Sequence, residues 1–250
     1  MRSMRFKNML EIKEFSGKCQ EILDLADVYM RSYNELSNGY KTREEMALYT
    51  KGSFIRKLKK WSNQQKNGNE PFIFVLHNDN KPIGFIRLNP LPESYRQYND
   101  NLTSQEYEGG ELDGWQIARY RKIKFISDPQ FDENTLILNQ IYMAPEVQKQ
   151  GFGTYFIGEV AKQMNDLGFD QFVVEYNDNN VNGKKFHEDV LCAKKIAKTT
   201  DFDHITIDDE RQSQLCVSPV TIGISRFSTV RKNIAAKQQI FQKIKNSRDA

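Results

Sequence analysis

TLILNQIYM (135–143), APEVQKQGFGT (144–154) and YFIGEVAKQMNDLG (155–168) follow one another without a break. The first segment is short, apolar and free of Gly and Pro, which predicts a β-strand. From the end of the second segment through the last, Phe152, Phe156, Val160, Met164 and Leu167 recur every three or four residues and predict one apolar helical stripe. Gly168 stands where a helix C-terminus favours a residue that tolerates positive φ. Between strand and helix lies Gln148-Lys149-Gln150-Gly151-Phe152-Gly153-Thr154, a Q-x-x-G-x-G turn. Glycines there let a ligand approach the backbone. The first turn of a helix leaves N–H groups without intrahelical partners, and the helix dipole is positive at that end. Such a turn is an anion site, and a pyrophosphate fits its size and charge. A glycine pair that merely lets strand and helix pack closely is the plainer alternative.

Gln148, Gly151 and Gly153 resemble the Q/R-x-x-G-x-G/A motif that follows the fourth strand in the GNAT superfamily of N-acetyltransferases. The resemblance covers about residues 9–227 and is strongest over 71–84 and 135–190. It implies an α/β fold: a mixed, mostly antiparallel twisted sheet with a central splayed parallel strand pair, flanked by helices. It implies acetyl-CoA (coenzyme A) as cofactor, with pantetheine lying in the gap between the splayed strands. It places the pyrophosphate on the amides of Lys149, Gln150, Gly151, Phe152, Gly153 and Thr154, with Gln148 as the motif's first residue. It pairs pantetheine with the backbones of Ile141 and Met143. The Met143 N–H would then face the thioester oxygen and stabilise a developing oxyanion.

Asn180 matches the asparagine that opens the family's fourth helix and often touches the cofactor; it would also serve as an ordinary N-cap. The family commonly has Tyr seven residues later, to protonate the leaving thiolate. Here that residue is His187, beside Phe186. Histidine donates protons near neutral pH, with a reference pKa of about 6.5; Tyr142, Tyr176 or solvent are the substitutes. Family members often carry Glu or His on the fourth strand as base, whereas this strand offers Ile137, Asn139 and Gln140. Glu175, on the next strand, is the nearest candidate, acting through water.

Working outward, Met9–Phe15 alternates apolar and charged residues and predicts a first strand. A helix follows over Gln20–Leu36, with Ile22, Leu25, Ala26, Tyr29 and Tyr33 at helical spacing. Thr42-Arg43-Glu44-Glu45 reads as a capping box for a helix running to about Gln65. The family uses two such helices to wall the acceptor pocket. Arg56, Lys57, Lys59 and Lys60 read as a solvated face of the second, with Trp61 turned inward. Pro71–His77 and Pro82–Leu88 flank the turn residues Asn78-Asp79-Asn80-Lys81 and predict a hairpin, with His77 at a strand end and Gly84 in the returning strand.

About 45 residues, 89–134, separate this hairpin from the organising strand, where the family has a short turn. The front of the insertion is acidic and aromatic, from Glu93 and Tyr95 through Glu106, Tyr107, Glu108 and Glu111 to Trp115. These side chains suit a cationic amine; a solvated loop is the alternative. Ile117–Ser127 alternates and predicts an added strand. Beyond the organising stretch, 170–176 predicts a strand parallel to the first, joined by a right-handed crossover. Val181, Phe186, Val190 and Ala193 suit a helix. Phe202–Ile207 and Leu215–Phe227 predict two strands around Asp208-Asp209-Glu210, and about 230–246 a basic terminal helix.

Two hundred and fifty residues, 38% hydrophobic and 28% charged, suit one elaborated domain spanning 1–250 with a real core. A net charge of +3 gives no global field pointing to nucleic acid or membrane. No secretory h-region or membrane-length apolar run is visible. Three scattered cysteines without C-x-x-C and three unpaired histidines suit a cytoplasmic protein without a metal site. A dinucleotide fingerprint would need glycine at position 156, where Phe156 stands. The expected activity is direct acetyl transfer from acetyl-CoA to a primary amine, on a small cationic molecule or a protein, by a monomer or homodimer. The alternatives are a catalytically degenerate acyl-CoA sensor, motivated by the missing tyrosine and strand carboxylate, and a protein-interaction module using the terminal helix and the insertion.

Overall fold

The computed structural model describes residues 10–37, 51–66, 71–92, 95, 103–106, 115–127, 129–207 and 212–248. They form a mixed α/β fold, mostly antiparallel with one parallel strand pair and flanking helices. The chain divides into two compact units: Met1–Asn89 with Leu138–Val160, and Pro90–Ile137 with Ala161–Ala250.

In the first unit, β1 (Leu10–Glu14) pairs antiparallel with β2 (Phe72–Asn78), and β2 with β3 (Lys81–Pro90). β6 (Leu136–Met143) continues that order beyond β3. The hairpin turn places Asp79 at φ 51° and Asn80 at φ 62°, the left-handed conformations that short polar side chains tolerate. Helix α1 (Cys19–Ser37) buries Ile22, Leu25, Ala26 and Tyr29, as its period predicts. Helix α2 (Lys51–Lys66) buries Phe54, Leu58 and Trp61 while Arg56, Lys59 and Lys60 stay exposed. The solvated-face reading of that basic run holds. The Arg87 guanidinium lies 4.1 Å above the Trp61 ring. Tyr29 stacks on Phe54 at 3.8 Å, and the cluster joins both helices to Ile73, Val75 and Phe85. Each such side chain contributes about 1.5–3 kcal/mol by leaving water. The proposed capping box at 42–45 and the side chain of Tyr33 lie outside the described residues.

In the second unit the strand order is β7 (Gln171–Asn177), β9 (Gln212–Arg226), β8 (Lys194–Ile207), β5 (Trp115–Phe125) and β4 (Thr103–Glu106). All four pairings are antiparallel. Insertion 89–134 therefore supplies two strands, β4 and β5, and not only the expected one. Most of its acidic front lies outside the described residues. β8 begins at Lys194, eight residues before the expected Phe202, because its polar start, KKIAKTTD, is held by cross-strand pairing with β9 rather than by an apolar run. The core here gathers Leu91, Tyr95, Ile137, Val173, Ile196, Ala197 and Ile222.

Helix α3 (Phe152–Asp166) follows the organising strand and buries Phe156, Ile157, Val160, Ala161 and Met164. Leu167 is a correction. The helix stops at Asp166, and Leu167 is 64% exposed, because the chain already turns into Gly168 at φ 91°. The Phe169 N–H donates to the Met164 carbonyl and the Gly168 N–H to that of Asn165, a Schellman end. Helix α4 (Val181–Asp189) is also shorter than expected: it ends before Val190 and Ala193. The Ala193 N–H turns back to the His187 carbonyl, with Cys192 at φ 53°. Helix α5 (Phe227–Arg248) closes the chain. Among the described residues no helix is long and apolar enough to cross a membrane.

Candidate active site

The candidate residues fall into two groups, one in each unit. The first runs along the end of β6 and the turn after it. The Ala144 N–H donates to the Ile83 carbonyl of β3 at 2.8 Å. Neighbouring amides of a strand point to opposite edges, so the Met143 N–H faces away from β3. β3 approaches closely because Gly84 is there: a Cβ at that position would sit 2.7 Å from the Tyr142 carbonyl oxygen and 2.5 Å from the Met143 sulfur.

The Met143 carbonyl is held from two sides. Gln148 Nε2 donates to it at 2.9 Å and Ser32 Oγ at 2.6 Å. Gln148, the first fixed residue of the motif, thus folds its side chain back onto the strand end. A short 3-10 turn, Pro145–Val147, follows. Arg31 of α1 clasps Glu146 there, with Nη1 2.7 Å from both carboxylate oxygens. That hydrogen bond holds the Glu146 carboxyl below its ordinary pKa. Gln150 Nε2 donates to the Glu146 carbonyl at 2.6 Å.

Lys149 and Gly151 then adopt φ 57° and 87°. Left-handed residues in a turn aim successive N–H groups inward, the geometry of an anion nest. Lys149, Gln150 and Gly151 are exposed. A Cβ on Gly151 would meet nothing within 4 Å, so packing does not explain that glycine; its backbone conformation does. The Tyr155 N–H donates to the Gly151 carbonyl at 2.9 Å, the first bond of α3. The amides of Gly153 and Thr154 therefore precede the helical ladder, as an anion site requires. Tyr142 packs its ring against Phe85 (5.3 Å, stacked) and Tyr29 (4.9 Å, edge-on), and Ile141 is half-buried.

The second group holds Glu175, Asn180 and His187. Glu175 is half-buried on β7, opposite Ile222 of β9. Asn180 caps α4: its Oδ1 accepts the Gly183 N–H at 2.9 Å, so the N-cap reading holds. His187 stacks on Tyr176, with centroids 4.9 Å apart and planes at 10°. Its Nδ1 is buried and makes no hydrogen bond among the described residues. Burial pushes its pKa down to about 4. Burial disfavours the charged imidazolium, so the folded ring releases its proton below the ordinary histidine range of about 6.5 from which the sequence reading started. Tyr176 donates to Glu188 Oε1 at 3.3 Å, and burial together with that carboxylate raises its pKa.

Sequence reasoning found the turn and missed Ser32, Arg31 and Glu146. Ser32 left a signal, being a polar residue on the stripe of Leu25 and Tyr29. Arg31 and Glu146, 115 residues apart in the chain, left none.

The profile of the acetyltransferase (GNAT) family matches residues 33–191. Among solved structures, the PaiA N-acetyltransferase of Thermoplasma acidophilum, crystallised with coenzyme A, superposes with a TM-score of 0.56 at 15% identity. The match covers 87% of this chain and 99% of that one. An N-acetyltransferase of Staphylococcus aureus gives 0.52 at 10% identity over 88% and 99%. A ribosomal-protein-alanine N-acetyltransferase of Brucella melitensis gives 0.52 at 10% over 86% and 99%. A sequence search of curated proteins finds no match. The structural likenesses carry the fold. The profile spans well over half of the chain and includes the strand, the glycine turn and the helix just described, so the chain belongs to the acetyltransferase (GNAT) family.

Proposed function

We propose that this chain is an N-acetyltransferase that moves the acetyl group of acetyl-CoA directly onto a primary amine, with no covalent enzyme intermediate. The observation that carries the reading is the turn 148–154. It joins two left-handed residues to the start of α3 and is tied by Gln148 to the carbonyl of Met143. The residues present fit the cofactor: the turn is exposed, Gly151 leaves space where a side chain would stand, and the amides ahead of Tyr155 suit a diphosphate.

When bound, acetyl-CoA supplies the activated acyl thioester. The amides of Lys149–Thr154 hold its diphosphate, and the Lys149 ammonium adds charge. The Ile141 and Met143 backbone edge orients pantetheine, with the Met143 N–H as oxyanion donor. Asn180 adds a cofactor contact through its amide. Glu175 takes the amine proton through water. Burial favours a neutral His187 ring, stacked on Tyr176, and Tyr142 or solvent would supply the proton that the leaving thiol needs. The acceptor is a small cationic amine or a protein amine.

Thiol release from acetyl-CoA, followed against a panel of small amines and peptide amines, tests this. Turnover that falls in Glu175→Ala supports the assignment. Tight coenzyme A binding without turnover on any amine overturns the catalytic reading.

A further inference from the structure

Among the described side chains of α1, Ser32 is the one fully buried polar group on the stripe turned inward, following Tyr29. Its hydroxyl lies 2.8 Å from the Val28 carbonyl and 2.6 Å from the Met143 carbonyl. A serine hydroxyl has one proton to give. Val28 C=O, four residues back in the helix, already faces the Ser32 N–H in the ordinary helical ladder. The Met143 carbonyl is outside any helix, so the hydroxyl is the donor it gains from α1.

The peptide unit between Met143 and Ala144 is consequently pinned at both ends. Its carbonyl takes Ser32 and Gln148, which fill both lone-pair directions, and its N–H goes to Ile83. Holding that plane restrains ψ of Met143, and so narrows the directions open to the Met143 N–H one peptide earlier. One residue before Ser32, Arg31 grips Glu146 in the turn. α1 thus holds the strand end and the turn together.

We propose that Ser32 is a positioning residue for acyl transfer: from the buried face of α1 its hydroxyl holds the Met143 carbonyl, so that the Met143 N–H keeps its aim at the thioester oxygen. This rests on the assignment of that N–H as oxyanion donor. A donor aimed in advance is worth more in the transition state than one that must reorient, so the effect falls on polarisation of the thioester and not on cofactor affinity.

The test is isotope-edited infrared spectroscopy of the full-length protein with acetyl-CoA labelled at the thioester carbonyl; it needs no acceptor. The labelled band is expected at lower frequency on the wild-type protein than in solution. In Ser32→Ala the downshift should fall by about half or more, while the Kd stays within about threefold. Ser32→Cys, somewhat larger and a weak donor, should lie between and serves in its place if circular dichroism shows that the alanine variant is unfolded. An equal downshift in wild type and variant overturns the proposal, because the hydroxyl then only fills space. A wild-type protein that binds acetyl-CoA without any downshift overturns it too. A wild-type protein that does not bind acetyl-CoA overturns the proposed function itself.

Discussion

The two units place their candidate chemistry in different atoms. In the first, the groups around turn 148–154 are backbone amides and carbonyls, and the side chains Gln148, Ser32 and Arg31 serve to hold that backbone. In the second, the candidates Glu175, Asn180 and His187 would act through side chains. There, local packing has claimed two of the three: Asn180 caps α4, and His187 is stacked on Tyr176 and kept neutral. Backbone chemistry survives sequence change because every residue except proline supplies an N–H. Side-chain chemistry depends on one residue type in one environment, and the environment of His187 lowers its pKa.

Breaking the first unit's backbone should cost most. Gly151→Val puts a β-branched residue at φ 87°. Coenzyme A affinity should fall about 100-fold, or about 2.7 kcal/mol, by calorimetry. Gly153→Ala sharpens the point: its Cβ would lie 3.5 Å from Met143 Cγ, an ordinary contact, so the melting temperature should hold.

The second unit should respond through pH. His187 sits at about 4 folded, against about 6.5 unfolded. The unfolded chain therefore binds the proton first as pH falls. Stability is full above about 6.5 and is lost on the way down toward 4. His187→Phe keeps the ring stack and removes this slope. Between pH 7 and 5 the wild type should lose about 1–2 kcal/mol more than the variant in urea titrations. His77, also lowered by burial, contributes the same sign in both proteins.

Gln148→Leu unties turn 148–154 from the strand end and should weaken coenzyme A binding about tenfold. Arg31 and Glu146 are 43% and 49% exposed, so a double-mutant cycle should give a coupling of only about 0.5–1 kcal/mol. Glu146 has a lowered pKa, so this coupling is present above about 4.5 and lost as pH falls through the folded value.

The organising stretch was legible because three independent signals coincide there: an apolar run, glycines at a fixed spacing and a helical period. The 72–90 hairpin was legible from its turn residues. Leu167 misled because its spacing continues past the point where Gly168 ends the helix. The start of β8 was hidden because Lys194–Asp201 owes its strand to pairing with β9, which no local pattern announces. The turn 148–154 could be read because its glycines mark its backbone conformation. The state of His187 could not, since burial is a property of the surroundings and not of the residue. Nor could the Arg31–Glu146 clasp, which needs the fold before the two residues meet.

The central claim, that backbone amides at the start of α3 grip a diphosphate, is tested most directly by paired titration calorimetry with coenzyme A and with pantetheine. The two ligands share the thiol arm; coenzyme A adds the diphosphate with its 3′-phosphoadenosine, and a gap that shrinks in Gly151→Val assigns it to the turn. The account predicts coenzyme A binding with pantetheine weaker by about 100-fold or more. Equal affinities, or no heat with coenzyme A, would contradict it.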